Sequence, residues 1–410
     1  MDCVLGCLNN LFMVDATGWI FGSVFALIGV LSLIYSFSYM KKYANLAEYY
    51  GVFVMMILCL VGLSFSRNLL LIYMFWELIA FSTWRLVGFH REPGNLLIAD
   101  KAFLVMFFGS CMMLLGFAQL YLEFKTFDIM LMRGLKPSSS AMLFIFAGII
   151  AKSATLPLHT WLADAHPVAP SPMSAVLSGL VAKVGILGFV RIFVQTFGWT
   201  GNWILILAGI SSLAAAGAAM VENDMKRIIA YSTVSQLGYI FLGLGLMTEM
   251  GVTAGILYFM AHAVAKAGLF LCAGIVERAT GERDIRRLGG LIKTMPVTGI
   301  SFLFCALSIM GIPPFFGFYP KLGTIMGLVE SGHLGMAFLA AAIAIMSVLY
   351  LTRIFSSIFL GSGSRELAPA REGTVLMLAV VVILAALSLQ MGLFINVPLG
   401  FVNAAVAAIK

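Results

Sequence analysis

Four lysines, a glutamate and a histidine stand inside long apolar runs of this sequence. Lys152 and Lys183 each lie near the middle of a run within residues 141–196, and Pro157, His159, His166, Pro167 and Pro170 crowd the short polar segment between them. His262 and Lys266 fall in YFMAHAVAKAGLFL, one helical turn apart and so on one face. Lys321 follows a proline pair in FFGFYPKLGTIMG, and Glu77 sits at the centre of LLLIYMFWELIAFS. A charge at the middle of a membrane helix costs about 2.5–3.5 kcal/mol on insertion scales, and such residues mark ion or proton pathways.

The chemistry on offer is proton transfer. Pairing of Glu77 with one lysine would be a purely structural alternative, but it leaves the other lysines without a carboxylate. A lysine taken out of water can release its proton near neutral pH, and a nearby carboxylate opposes that release. Moving the carboxylate therefore loads or unloads the amine. Ser153, Thr155, Ser174, Ser178, Ser232, Thr233, Ser235 and Gln236 either hold water between the lysines or pack helices together. His159 and His166 either admit protons or cap a loop. Arg85, eight residues after Glu77, reads as a snorkelling interfacial arginine, while His90 and His333 read as interfacial.

Composition fixes the class. The chain has 410 residues, 61% hydrophobic and 10% charged, with a mean hydropathy of +1.04. Apolar runs of membrane-spanning length recur throughout, so an all-α polytopic membrane protein is expected, without the alternation of an outer-membrane barrel. Net charge is +7 and the six cysteines are scattered, with no CxxC. Cys3 and Cys7 share a helical face with no further ligand near, so no metal site is expected. No glycine-rich nucleotide motif and no haem or iron–sulfur ligand set is present. The chain is therefore expected to carry no cofactor, to handle no electrons and to bind no nucleic acid. The first 15 residues lack the basic start of a cleaved signal.

About twelve spans are predicted, near 17–38, 48–66, 69–88, 101–121, 139–157, 171–196, 202–221, 227–247, 251–277, 296–330, 334–357 and 373–397. The fifth ends or breaks at Pro157, and the tenth breaks at Gly311, Ile312, Pro313 and Pro314, because a proline pair interrupts the backbone ladder. Most lysines and arginines outside the spans fall on the face reached after odd-numbered spans, including Lys41, Lys42, Arg91, Lys226, Arg227, the cluster from Arg278 to Lys293, Arg365 and Arg371. Arg67, Lys125, Arg133, Lys136, Arg191 and Lys410 fall on the other. The basic face should be cytoplasmic, in a prokaryotic inner membrane, with both termini outside. Spans two to six and seven to eleven form two five-helix units, each with its broken helix fourth. An odd helix count inverts the second unit relative to the first. The divisions are 1–47 (an N-terminal segment and first helix), 48–197, 198–360, and 361–410 (a last helix and a short tail).

NLLLIYMFWELIAF, AKSATLPLHTWLADAHPVAPSPMSAVLSGLVAKVG, MKRIIAYSTVSQLGYIFLGLG, HAVAKAGLFLCAGIVE and MGIPPFFGFYPK carry a family resemblance. The chain resembles the antiporter-like subunits shared by respiratory complex I, Mrp-type Na⁺/H⁺ antiporters and membrane-bound energy-converting hydrogenases, over roughly residues 15–400 and most closely in the Mrp and hydrogenase branch. The resemblance implies that Glu77 is the helix glutamate and Lys152 its partner on the first broken helix. It implies that Lys183 is the central relay lysine, that His262 and Lys266 form the later relay, and that Lys321 is the terminal lysine where protons leave. It also implies two helices ahead of the one beginning near Asp15, where only about 15 residues stand here; their loss would alter a subunit contact. Arg85, at a usually apolar position, is a second departure, and no long lateral helix follows the last span.

The leading expectation is a proton-translocating subunit of a redox-driven membrane complex, itself a non-redox part of an oxidoreductase. Its partners would be other antiporter-like and small membrane subunits and the lipid bilayer, with a peripheral iron–sulfur, [NiFe] or quinone-reducing arm. The alternative is a subunit of a multisubunit Na⁺/H⁺ antiporter without redox drive. A scaffold with a dead pathway is a third reading, opposed by the retained ionisable residues. A stand-alone solute carrier lacks a substrate-sized polar set.

Overall fold

The computed structural model describes residues 11–361 and 370–407; Cys3, Cys7, Arg365 and Lys410 lie outside them. Fifteen helices follow in chain order. They are α1 (Ala16–Tyr39), α2 (Leu46–Ser64), α3 (Leu69–Val87), α4 (Pro93–Phe124), α5 (Ser139–Lys152), α6 (Thr160–Val168), α7 (Ser171–Phe197), α8 (Asn202–Val221), α9 (Met225–Gly245), α10 (Glu249–Thr280), α11 (Pro296–Met310), α12 (Phe318–Glu330), α13 (Leu334–Leu360), α14 (Val375–Leu393) and α15 (Asn396–Ala407). Among the described residues, ten helices are long and apolar enough to cross a membrane. The expected twelve is reached only by counting α5–α6 and α11–α12 as one broken crossing each. The C-terminal segment differs from its expected form: the last span ends at Leu393, and α15 follows where a tail was expected.

Local chemistry sets these boundaries. Asp15 caps α1 by accepting from the Gly18 N–H at 2.8 Å, and Thr248 caps α10 through Gly251 at 3.1 Å. Proline opens α4 and α11, where its missing N–H costs nothing. Gly281 and Gly311 end α10 and α11 with φ of 71° and 81°, a region that only glycine enters cheaply.

The five-helix repeat is visible in matched details. α4 and α10 are each 32 residues long. Asn68 caps α3 and Asp224 caps α9, each accepting from two backbone N–H groups. The segment before each cap pairs with the segment after the long helix, through antiparallel bridges Asn68–Asp128 and Asp224–Asp284. An ion pair reinforces each, Arg67–Asp128 at 2.5 Å and Arg283–Asp224 at 3.3 Å. Arg191 in α7 donates to the Ser64 carbonyl at the end of α2, and Arg353 in α13 donates to Ala219 and Glu222 at the end of α8. Both closing helices finish in π-helical turns.

Both helix breaks are sealed by protein, as non-helical backbone at membrane depth must be. At the first, Trp161 Nε1 donates to the Ala151 carbonyl at 2.9 Å and Ser211 accepts from the Leu156 N–H at 3.0 Å. At the second, the Phe316 N–H reaches the Ser388 carbonyl at 2.9 Å and the Gly317 N–H reaches Ser308 Oγ at 3.3 Å. α7, α9 and α10 are buried almost all round, whereas α2, α4, α13 and α14 keep wide apolar faces outward. A helix buried on every side can hold polar groups away from lipid, and these three helices carry the centre of the site.

Candidate functional site: a buried line of lysines

Lys152, Lys183 and Lys266 are fully buried and Lys321 is 4% exposed. None of them joins an ion pair among the described residues; each ammonium instead donates to a backbone carbonyl. Lys152, at the last turn of α5, reaches the Trp76 carbonyl at 2.9 Å and lies 5.4 Å from the Trp76 ring. Lys183 reaches the Ser178 carbonyl, which the bend at Leu180 turns back toward it. Lys266 reaches the Ile229 carbonyl at 3.0 Å. Lys321, beyond the second break, reaches Ser347 Oγ at 3.0 Å and the Met310 carbonyl, freed where α11 ends, at 3.3 Å. The lysines are thus solvated by protein dipoles and remain unneutralised.

Glu77 is not salt-bridged to any of them. Its Oε1 is buried without a hydrogen-bond partner, and it follows directly on Trp76, whose carbonyl holds Lys152. Flanking residues Met74, Leu78 and Phe81 are exposed, so Glu77 lies between the Lys152 pocket and the outer surface of α3.

Two sets of polar groups lie among the lysines. In the first, Ser178 Oγ and Thr233 Oγ1 are 2.7 Å apart, and Thr233 donates to the same Ile229 carbonyl that accepts from Lys266. Ser178, Thr233 and Ile229 thus stand between Lys183 and Lys266, each ammonium bound to a backbone carbonyl and the Ser178–Thr233 hydroxyl pair lying between them. In the second, His262 lies one turn from Lys266, both its ring nitrogens buried and unpartnered, with the Tyr258 ring 6.0 Å away. Tyr258 donates to Gln236 Oε1, and Gln236 Nε2 donates to Tyr350 OH at 3.2 Å, which also meets Ser232 at 2.9 Å. Lys321 Nζ lies 5.6 and 5.9 Å from the Tyr239 and Tyr258 rings.

The structure thus brings Lys183, His262, Lys266 and Lys321 into one line and places Glu77 with Lys152 at its first-repeat end. Ser178, Ser232, Thr233 and Gln236 belong to these two sets. Ser153, Thr155 and Ser174 make local bonds instead, and Ser235 pairs with Ser212 across α8 and α9. Tyr239, Tyr258, Tyr350 and Ser347 were not legible as members, although Tyr258 falls in helical register with His262. Two arginines differ from expectation. Arg85 is no free snorkelling side chain; it pairs with Glu48, which also holds Arg91 at 2.8 Å. Arg191, expected at a loop face, is 2% exposed and bound to Asp15.

The fold is that of a polytopic helical membrane protein with a buried file of amines along its centre. The family described as NADH:quinone oxidoreductase/Mrp antiporter, TM, matches residues 66–358. The chain belongs to that family. Na(+)/H(+) antiporter subunit A1 of Staphylococcus haemolyticus (strain JCSC1435) is 33% identical over 431 residues, covering 96% of this chain and 52% of that protein. The subunit A1 of Staphylococcus aureus (strain JH9) is 33% identical over 418 residues, covering 93% and 52%. The chain spans about half the length of these curated relatives. In the structure of the Mrp complex from Dietzia sp. DQ12-45-1b, one chain superposes with a TM-score of 0.90 at 25% identity, covering 97% of this chain and 84% of that one. These relatives favour the antiporter alternative over the expected redox-driven complex, and nothing in them supports the expected iron–sulfur, [NiFe] or quinone-reducing arm.

Proposed function

We propose that this chain is a proton-conducting membrane subunit of a multisubunit Na⁺/H⁺ antiporter. Four buried lysines that join no ion pair among the described residues, with the Ser178–Thr233 hydroxyl pair between Lys183 and Lys266, carry the reading, since ionisable groups buried in membrane helices mark ion or proton pathways. Lys152 and Lys183 load, His262 and Lys266 relay, and Lys321 releases. Glu77 sets the charge beside Lys152. Residues 48–197 and 198–360 are the two half-units, with 1–47 ahead and 361–410 behind. The chain carries no cofactor of its own, and its partners are other antiporter-like membrane subunits. It sits in a prokaryotic inner membrane with the basic end in the cytoplasm and both termini outside.

The energy scale is suitable. Moving one charge across 100 mV takes about 2.3 kcal/mol, and a change of two pKa units in proton affinity is worth about 2.7 kcal/mol. The test is sealed vesicles holding the chain with its partner subunits. A sodium gradient alone should drive proton movement. Proton movement that appears only when an electron donor is added would overturn the antiporter reading.

A further inference from the structure

The buried line needs a way in from water, and the structure offers one at the basic end. The turns after α1, α3, α6 and α10 meet there around a polar cavity of about 540 Å³. Its floor is Lys226, 1% exposed, whose Nζ meets Glu277 Oε2 at 2.7 Å and the Ala169 carbonyl at 3.3 Å. Glu277 is 23% exposed and so within reach of solvent. His166 immediately precedes the cavity-lining stretch 167–170. It is fully buried, and neither ring nitrogen has a hydrogen-bond partner. Its ring stacks on Phe270 at 4.2 Å and 10°. Phe270 lies one turn from Lys266 on α10, and Glu277 lies two turns further toward the cavity, all on one face. At 1.5 Å per residue, Lys266 and Glu277 are about 16 Å apart along the axis, with His166 held between their levels. Lys226, Lys266 and Lys183 are the charged side chains whose fields reach the ring.

An imidazole with both nitrogens free can accept a proton on one and release a proton from the other. A histidine held only for packing would bond at least one nitrogen, since a buried polar atom left alone is costly. We propose that His166 is a second proton-uptake residue of this chain, beside loading at Lys152 and Lys183, passing protons from the cavity at the Lys226–Glu277 pair to Lys266. The Lys226–Glu277 pair closes the floor of the cavity: a proton arriving on Glu277 breaks the ion pair, and its departure toward His166, about 10 Å deeper along α10 at the level of Phe270, restores it. The route is separate from the Lys152–Glu77 pocket. It rests on the proposed function, because a line that moved no protons would need no uptake residue.

The experiment uses the chain assembled with its partner subunits in everted vesicles, so that the basic end faces the medium. Sodium-driven proton flux is compared for His166→Ala, with and without imidazole in the medium, and for Lys266→Ala. His166→Ala should lower flux at least about tenfold, and imidazole should restore a large part of it while leaving Lys266→Ala inactive. Near-normal flux in His166→Ala beside a dead Lys266→Ala overturns the uptake route alone. A loss in His166→Ala that imidazole does not restore also overturns it, since the histidine then acts structurally. Normal flux in both variants overturns the proposed function and the route together.

Discussion

Tyr258 shows how much of the line depends on single hydroxyls. It donates to Gln236, which leads on to Tyr350, while its ring faces both His262 and Lys321. Tyr258→Phe keeps the ring and removes that hydrogen bond. Flux should fall about tenfold or more with assembly unchanged, as checked by sodium-driven proton movement and gel filtration of the complex. Thr233→Val breaks the Ser178–Thr233 link and leaves shape almost intact. It should slow flux more than Ser235→Ala, whose hydroxyl meets only Ser212. The ionisable members were legible in the sequence because charge in an apolar run is conspicuous. Tyr258, Tyr350 and Ser347 were not, because tyrosine and serine are ordinary in membrane helices and their roles depend on cross-helix pairing.

At the scale of elements, the second break is held by close backbone approach. A Cβ on Gly317 would lie 1.9 Å from the Ser308 carbonyl oxygen, and one on Gly392 would lie 2.0 Å from that of Pro314. Either glycine→Ala change must move the segment 311–317 and with it Lys321. Gly392→Ala should therefore reduce flux although it lies in α14, outside the line; near-normal flux with the variant assembled would show that the break is not held this way. Arg191 ties α7 to α1 and α2 through Asp15 and the Ser64 carbonyl. Arg191→Ala removes that tie while Asp15 keeps its cap on Gly18, and should show as a lower unfolding temperature. At the repeat junctions, burial pushes the Asp128 carboxyl up, but the Arg67 guanidinium and the Met130 N–H outweigh it and hold it below the usual range. A depressed carboxyl stabilises the fold above its unfolded pKa of about 3.9 and stops doing so as pH falls through the folded value. Asp128→Asn should thus lower thermal stability at neutral pH and make progressively less difference as the medium is acidified below about pH 4. The proline breaks announced themselves in sequence. The bend at Leu180 and the π-helical ends did not, since no proline or glycine pair marks them.

Across the whole molecule, the two related half-bundles carry different side chains at matched places. α4 and α10 match in length and surroundings, yet Met106 faces Lys152 from α4, while His262 and Lys266 project from α10. The first half carries Glu77, Lys152 and Lys183, and the second carries His262, Lys266 and Lys321. Sequence periodicity and the proline breaks made the inversion legible, since an odd number of spans must reverse direction. They could not show that α7, α9 and α10 form the fully buried centre, because apolar composition looks the same toward lipid and toward protein. The central claim is that protons move along the buried lysines. It is tested most directly by sodium-driven proton flux in vesicles holding the assembled complex, comparing wild type with Lys183→Ala. The account predicts that flux falls to background, about a hundredfold or more, while the complex stays assembled. Undiminished flux through an intact Lys183→Ala complex would contradict it.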